Sequence, residues 1–279
     1  MIAKIVACIL LLTSLGISSD AVQRIKDIPY APDGAYKHQL DFYLPADRAH
    51  AVLVIFVHGG AFLQGDRKDV SSVGTALASQ GLATAVVSYR LYPEANAQES
   101  TQDVALAIAW TLRNARTYGV SAQKVYLVGH SAGAQIVALL GTDGRFLHAA
   151  GLDLHALAGV FAVSGAYDLR DLSLEPDSWQ RVDGHIYGET PTDRIRVSPS
   201  QHIDPGAPPI EVACGSEEDN PGSCERAGYF ERHLLAAGVS TWMIREIGAS
   251  HMGMLSALMN PSDPLNRELH TFIKRTEAQ

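Results

Sequence analysis

A serine between two glycines is the first residue of this chain whose setting could support chemistry. Ser131 lies in the segment Gly-His-Ser-Ala-Gly, after the apolar run Val125–Val128 and before a segment typical of a helix. On a sharp strand-to-helix turn, Gly129 and Gly133 let the strand and the helix approach closely and leave the hydroxyl accessible. This pattern is typical of a nucleophile elbow. A serine here could also be a helix N-cap, so the interpretation depends on whether a base and an acid accompany it.

A histidine is the expected partner of Ser131, because a serine hydroxyl is a weak nucleophile until a base takes its proton. Of the eleven histidines in the chain, His251 has the most suitable position, since it follows the last predicted strand in a loop that can return toward Ser131. His130, beside the serine, fits a packing role better than proton transfer. We therefore predict that His251 is the base.

The base also needs a carboxylate that orients its imidazole, and the loop after the preceding strand contains Glu218 and Asp219. Counting from Gly215 selects Glu218, whereas counting back from Pro221 and the helix after it selects Asp219. The second count is slightly favoured, and Asp168, one strand earlier, is a weaker rival. The order serine, acid, histidine along the chain fits a nucleophile elbow.

The stretch VHGGAFLQGD offers a second requirement of acyl transfer. Backbone N–H groups must point at the negative charge that develops on the carbonyl oxygen, and each is worth about 3 kcal/mol in the transition state. Gly59 and Gly60 follow a buried strand and allow a sharp turn. We predict that the amides of Gly60, Ala61 and Ala132 form this oxyanion hole and that His58 braces the loop.

Alternating strand and helix patterns surround these residues and must position them. Continuous apolar runs predict strands that are buried on both faces, and amphipathic segments predict the helices between them. The predicted strands are Ala51–Val57, Leu82–Tyr89, Val125–Val128, Leu157–Val163, Pro208–Cys214 and Thr241–Ile247, and the predicted helices are Ser71–Gln80, Ser100–Tyr118, Ser131–Leu140, Cys224–Ala237 and Pro264–Arg275. This order predicts a mostly parallel sheet with helices on both faces and active groups at the carboxyl ends of the strands.

Three segments carry more local predictions. His38–Leu44 alternates as an edge strand would. In the helix that is predicted to begin at Ser100, this serine and Asp103 resemble a capping box. The segment Asp171–Pro209 is rich in Asp, Pro, Gly and Ser, and it could be a small lid over the site or a surface excursion without a role in binding.

The first residues combine a lysine, a short apolar run and small residues, which is the pattern of a signal peptide. The apolar run is short for a membrane-spanning helix. We predict a signal peptide over residues 1–19, one domain over residues 20–279, and a secreted or periplasmic location. In such an oxidising setting Cys214 and Cys224 could form a disulfide, and the sequence leaves open whether they are paired.

Composition narrows the possible partners. The chain has 279 residues, 47% of them hydrophobic, which is enough for one sizeable core. The net charge of −8 provides no basic face, and no run interleaves aromatic and basic residues. Nucleic acid is therefore not an expected partner, whereas the oligomeric state is left open.

The segments HGGAF, GHSAG, the acidic loop and SHMGM occur in that order, and the chain resembles the α/β-hydrolases, specifically the esterase branch related to hormone-sensitive lipases. SYRLYPE and the helix before GHSAG look like the small carboxylesterases grouped with feruloyl esterases, isoprenylcysteine methylesterases and kynurenine formamidases. The resemblance runs roughly from Leu40 to the C-terminus. Ala61 stands where many relatives carry a third glycine, and Phe62 stands where many carry tryptophan.

This resemblance implies an α/β-hydrolase fold in which Ser131 is the nucleophile, His251 the base, and Asp219 or Glu218 the acid. It implies no metal and no cofactor. The expected activity is hydrolysis of small esters, with short acyl chains favoured over long ones. An amide-cleaving formamidase with the same groups and a noncatalytic binding protein on this fold are the alternatives.

Overall fold

Eight strands form one sheet in the computed structural model, which describes residues 22–170, 184–218 and 223–278. The order of the strands across the sheet is β1-β2-β4-β3-β5-β6-β7-β8. Their bounds are β1 Gln23–Pro29, β2 Gln39–Leu44, β3 Val52–Val57, β4 Leu82–Val87, β5 Val125–His130, β6 Leu157–Val163, β7 Ile210–Gly215 and β8 Thr241–Glu246. β1 and β2 pair antiparallel, and from β4 to β8 every neighbouring pair is parallel.

Helices cover both faces of this sheet. They are α1 Ser71–Ser79, α2 Ala97–Asn114, α3 Ala132–Thr142, α4 Arg145–Ala149, α5 Pro191–Ile195, α6 Ser223–Ala236, α7 His251–Met259 and α8 Pro264–Glu277. Apolar side chains of α2, α3 and α6 form one core against the sheet, and those of α1, α7 and α8 form another on the opposite face. The predicted mostly parallel sheet with helices on both faces is confirmed.

The central strands bring two predicted loops together. β3 reads VLVIFV, pairs with β4 on one side and β5 on the other, and is almost fully buried. Such a continuous β-branched and aromatic run fits a strand that is covered on both faces. Because β3 and β5 are parallel neighbours, the loop after β3 and the turn after β5 emerge side by side at one edge of the sheet.

The prediction that His38–Leu44 is an edge strand is wrong. β2 lies inside the sheet, because β1 pairs with its outer side and β4 with its inner side. The alternation that suggested an edge arises from Asp41, a polar residue that is completely buried and ion-paired with Arg24 and Arg67. A buried charge can be tolerated when partners satisfy it.

The capping box of α2 also differs from its prediction. The helix begins at Ala97, Asn96 is its N-cap, and Asn96 and Glu99 form the reciprocal box. Asp103, one turn later, instead accepts hydrogen bonds from Arg90 at 2.7 and 2.9 Å. The sequence offers two box-like patterns four residues apart, and the contact with Arg90 decides between them.

The segment Asp171–Pro209, which was predicted as a lid or a surface excursion, is described from residue 184 onward. Residues 184–187 and α5 are helical, and Pro199–Gln201 forms a short 3-10 helix. The predicted signal peptide over residues 1–19 lies outside the described residues. Among the helices that the structure describes, none combines the length and apolar character needed to cross a membrane.

Candidate active site

Ser131 occupies a strained turn between β5 and α3. Its φ is 59° and its ψ is −123°, and its side chain makes no capping hydrogen bond to α3. A positive φ is costly for any residue with a Cβ. The surrounding packing enforces it, since a Cβ on Gly129 would lie 2.3 Å from the carbonyl oxygen of Gly133, and one on Gly133 would lie 2.1 Å from that of Val57. The geometry is that of a nucleophile elbow and not that of a simple helix cap.

His251 is the first residue of α7, and Ser250 before it caps the helix by accepting a hydrogen bond from the N–H of Gly253. The sequence had suggested a loop at this position. Nδ1 of His251 lies 3.1 Å from Oε2 of Glu218. An ionised carboxylate can only accept, so Nδ1 carries the proton and Nε2 is left as the basic nitrogen.

Four hydrogen-bond donors hold the carboxylate of Glu218, whose side chain is only 2% exposed. They are the hydroxyls of Ser164 and Ser223, the backbone N–H of Gly215, and His251. Burial raises the pKa of the Glu218 carboxyl, but the hydrogen bonds from His251, Gly215, Ser164 and Ser223 outweigh burial and hold the pKa at about 2. The side chain is therefore a fixed anion beside the imidazole.

The structure thus places Glu218, the first of the two candidate acids, in contact with His251. Asp219 lies outside the described residues. Cys214 and Cys224 are joined by a disulfide with their α-carbons 5.4 Å apart, and this bond encloses the loop that carries Glu218. The contacts of Ser164 and Ser223 with Glu218 have no local sequence pattern that would predict them. Ser164 is 54 positions away from Glu218 in sequence.

His130 packs directly against His251. The two ring centroids lie 4.7 Å apart, and Nε2 of His130 lies 2.9 Å from the backbone carbonyl oxygen of His251. Burial, helped by the nearby His251, lowers the pKa of His130 to about 4. The ring is therefore neutral near pH 7 and donates its Nε2 proton to that carbonyl, which ties the start of α7 to the elbow.

The loop after β3 turns sharply beside Ser131. Gly60, Ala61 and Phe62 all have positive φ, at 118°, 53° and 59°. The carbonyl oxygen of Gly60 accepts hydrogen bonds from the amides of Leu63 and Gln64. This compact turn leaves the amides of Gly60 and Ala61 without a backbone acceptor among the described residues. Three consecutive positive φ values in a loop are costly, as expected where a backbone is preorganised for a ligand.

His58 and Gly59 connect this loop to the elbow. A Cβ on Gly59 would lie 2.8 Å from Cβ of Ser131, so the loop touches the serine directly. Nδ1 of His58 donates to the carbonyl oxygen of Gly59 at 2.7 Å, and its ring stacks on Tyr89 with centroids 4.4 Å apart. Burial lowers the pKa of His58 to about 4, so this ring is a neutral brace.

The far end of the same loop is anchored by charge. Arg67 is completely buried, and its Nε donates to Asp41 at 3.0 Å. Its Nη2 atom contacts both Asp27 and Gln39. No local sequence pattern indicates this network, because its charged members Asp27, Asp41 and Arg67 lie far apart along the chain.

Aromatic rings connect the loop to the described part of the lid segment. Phe62 is fully buried, and its ring meets Tyr187 edge-on with centroids 5.6 Å apart. Phe62 also contacts Tyr89 at 6.2 Å, and Tyr92 stacks with His185 at 6.1 Å. Residues 184–187 therefore pack against the strained loop and do not stand apart from it.

The hydroxyl of Ser131 makes no hydrogen bond to any residue that the structure describes. It is therefore not hydrogen-bonded to His251 in this structure. Catalytic hydrogen bonds are often long before substrate binds. Within residues 22–170, 184–218 and 223–278, no three His, Cys, Asp or Glu side chains form a group that could hold a metal ion. The chemistry that this arrangement supports is attack by Ser131 with proton transfer through His251.

Known proteins are similar to this chain to different extents. The BD-FAE family model matches residues 40–234. A probable isoprenylcysteine alpha-carbonyl methylesterase of Oryza sativa subsp. japonica is 32% identical over 147 residues, which are 49% of this chain and 33% of that protein. Esterase LipQ of Mycobacterium tuberculosis is 27% identical over 239 residues, which are 81% of this chain and 56% of that protein.

The fold has a solved counterpart in esterase B from Lactobacillus rhamnosis. The two structures superpose with a TM-score of 0.78 at 20% identity, over 92% of this chain and 87% of that chain. This similarity shows that the chain has the α/β-hydrolase fold. The chain spans between about a third and about half of the length of the two curated relatives described above.

Proposed function

This chain belongs to the BD-FAE family, and from that premise and the geometry of its site we propose that it is a serine carboxylesterase. The observation that carries the proposal is the strained Ser131, whose hydroxyl does not cap α3 and whose chain neighbour His130 packs against His251, the partner of Glu218. A serine held at positive φ without a capping role is expected when the protein needs its hydroxyl exposed.

The reaction follows from the positions of these groups. Nε2 of His251 takes the hydroxyl proton as the oxygen of Ser131 attacks the ester carbonyl carbon. The resulting oxyanion accepts hydrogen bonds from the amides of Gly60, Ala61 and Ala132. The imidazolium, stabilised by the anionic Glu218, gives its proton to the departing alcohol. Water activated by His251 then attacks the acyl-enzyme and releases the acid.

We also propose that the substrates are small esters with short acyl chains. Phe62 follows the two loop residues of the oxyanion hole, is fully buried, and is enclosed by Tyr89 and Tyr187. The proposal is that these rings, next to the oxyanion-hole loop, limit the space that a long acyl chain would need. Esterase LipQ, which aligns over most of this chain, supports ester hydrolysis as the activity.

A secreted or periplasmic location fits the same proposal. The leader pattern at residues 1–19 predicts export, and the bond between Cys214 and Cys224 is of a kind that persists in oxidising compartments. We propose that export removes residues 1–19 and that the α/β-hydrolase domain occupies residues 20–279.

The test is the initial rate of hydrolysis of p-nitrophenyl acetate, butyrate, octanoate and laurate by the wild type and by Ser131→Ala. We expect the highest rate with acetate or butyrate and a loss of about 10⁴-fold or more in the variant. Ser100→Ala is the matched control, because this buried serine lies in α2 and bonds only to backbone carbonyls.

The two alternatives give distinct outcomes. Activity on N-formylkynurenine without activity on esters would identify an amide hydrolase. Failure of Ser131 to react with a fluorophosphonate probe, together with equal rates for the wild type and Ser131→Ala, would indicate a noncatalytic protein.

A further inference from the structure

Two serines outside the predicted triad meet its carboxylate. We propose that Ser164 and Ser223 are positioning residues that hold the Glu218 carboxylate against the imidazole of His251. This inference rests on the proposed function, since it concerns the acid of that reaction. Neither serine was a candidate from the sequence, and neither touches the reacting atoms in the proposed mechanism.

Each carboxylate oxygen of Glu218 accepts two hydrogen bonds. Oε1 accepts from the hydroxyl of Ser164 at 2.7 Å and from the N–H of Gly215 at 2.6 Å. Oε2 accepts from the hydroxyl of Ser223 at 2.8 Å and from Nδ1 of His251 at 3.1 Å. Because each oxygen accepts two hydrogen bonds, the carboxylate cannot rotate without breaking several bonds at once.

Ser164 reaches this position through a strained backbone. It follows β6 directly, and its φ is 58°, a conformation that favours glycine over any residue with a Cβ. Its amide donates to the carbonyl oxygen of Ala213 at 2.8 Å, which pairs it with the neighbouring strand β7. A glycine here would relieve the strain, so the presence of serine is explained by what its hydroxyl contacts.

Ser223 reaches the same carboxylate from the other side. It is the first residue of α6, and the next residue, Cys224, is bonded to Cys214 at the end of β7. Gly215 follows Cys214 directly. The disulfide therefore fixes two of the donors, the amide of Gly215 and the hydroxyl of Ser223, at opposite ends of one closed loop around Glu218.

The expected consequence is electrostatic as well as geometric. Among the described residues, the titratable side chains of His251, His130 and Tyr167 interact electrostatically with Glu218. Burial lowers the pKa of His130 and raises that of Tyr167, so both are neutral near pH 7. Losing a hydroxyl donor destabilises the carboxylate anion, and the pair of Glu218 and His251 then holds its shared proton more tightly.

The experiment compares kcat/KM for a short-chain p-nitrophenyl ester across pH in five variants. Ser164→Ala, Ser164→Gly and Ser223→Ala remove a hydroxyl, Ser223→Thr keeps one, and Ser100→Ala removes a buried hydroxyl that bonds only to the backbone carbonyls of Arg90 and Asn96. We expect each of the first three to lower kcat by about 10-fold with little change in KM. The acid limb of their pH profiles should move to higher pH by about half a unit or more.

The variants also separate positioning from folding. Ser164→Gly relieves the positive φ, whereas Ser164→Ala keeps it, so their thermal midpoints should differ while their losses of activity agree. Ser223→Thr and Ser100→Ala should keep the wild-type rate and profile. Wild-type kcat and an unmoved acid limb in Ser164→Gly and Ser223→Ala would overturn the proposal, as would a loss of activity that follows thermal stability alone.

Failure of the proposed function would look different. Ser131→Ala measured alongside would then be as active as the wild type, whatever the other variants do. An inactive Ser131→Ala with fully active Ser164→Gly and Ser223→Ala would leave the esterase proposal standing and remove only the role of the two serines.

Discussion

Glu211 and Glu218 lie seven residues apart, on β7 and in the loop after it, and have opposite ionisation behaviour. Their side chains are 1% and 2% exposed. Burial raises the pKa of Glu211 to about 8, helped by the neighbouring Glu268 carboxylate and opposed by Arg275. The pKa of Glu218 is held at about 2. Equal burial of the same residue type therefore does not decide its charge.

The difference between the two sites is the number of donors. Glu218 accepts four hydrogen bonds. Oε2 of Glu211 accepts none within the part of the chain that the structure describes, and the guanidinium of Arg275 is 3.8 Å away and bonded to Glu268. A buried carboxylate without donors takes up a proton instead of remaining charged. Glu218, in the loop after β7, is thus an anion that the proposed reaction uses. Glu211, within β7, is a buried neutral carboxylic acid.

The largest expected effect is on catalysis. Glu218→Gln removes the negative charge that faces His251, so we expect kcat/KM to fall by about 10⁴-fold. Glu211→Gln is the matched control, because it makes the same chemical change at a buried glutamate seven residues earlier, and it should keep nearly the wild-type rate. The measurement is ester hydrolysis at pH 7.5. Similar losses in both variants would mean that the two carboxyls are not functionally distinct.

The next effect is the dependence of stability on pH. The folded pKa of Glu211 is about 8, above its ordinary value of 4.5, so its contribution to stability is complete below pH 4.5 and is lost as pH rises through 8. Glu211→Gln should remove this decline and exceed the wild type at pH 8.5 by on the order of 3 kcal/mol. Urea unfolding at pH 5, 7 and 8.5 measures it. A wild-type decline that persists in the variant would place its origin elsewhere.

The smallest of these effects concerns the loop around Glu218. Replacing Cys214 and Cys224 together with alanine should lower the free energy of unfolding by about 2 to 3 kcal/mol. It should also lower kcat/KM, since Gly215 and Ser223 lose their covalent tie, while the pH dependence due to Glu211 should stay. Chemical denaturation and ester hydrolysis of the double variant test both points. Unchanged activity would show that hydrogen bonds alone suffice to hold Glu218.

Much of the fold could be predicted from the sequence because its signals are local. The apolar run of β3 predicts a buried strand, and the glycines around Ser131 predict a sharp turn. Each pattern lies within a few neighbouring residues. The contact of Glu218 with His251 could not be predicted in this way, since Glu218 is held by donors that follow β6 and begin α6 and that become its neighbours only after folding. For the same reason the buried ion pair of Arg67 could not be predicted, because its partner Asp41 lies on β2, 26 residues earlier in the chain.

Two predictions were wrong because their patterns fit more than one structure. The alternation in His38–Leu44 is produced by an ion-paired Asp41 in the interior and not by exposure at an edge. The helix that begins at His251 was missed, because Gly253 in its first turn weakens the helical pattern. In each case long-range packing decides what the local pattern leaves open.

The close contacts at the elbow also restrict which sequences this fold accepts. A Cβ on Gly133 would lie 2.1 Å from the carbonyl oxygen of Val57 and 2.6 Å from that of His58, and both are backbone atoms at the end of the central strand. No side-chain rotation can relieve such an overlap. In a library of all single amino-acid replacements, Gly133 should therefore tolerate none of the nineteen alternatives, although it is not one of the proposed catalytic residues.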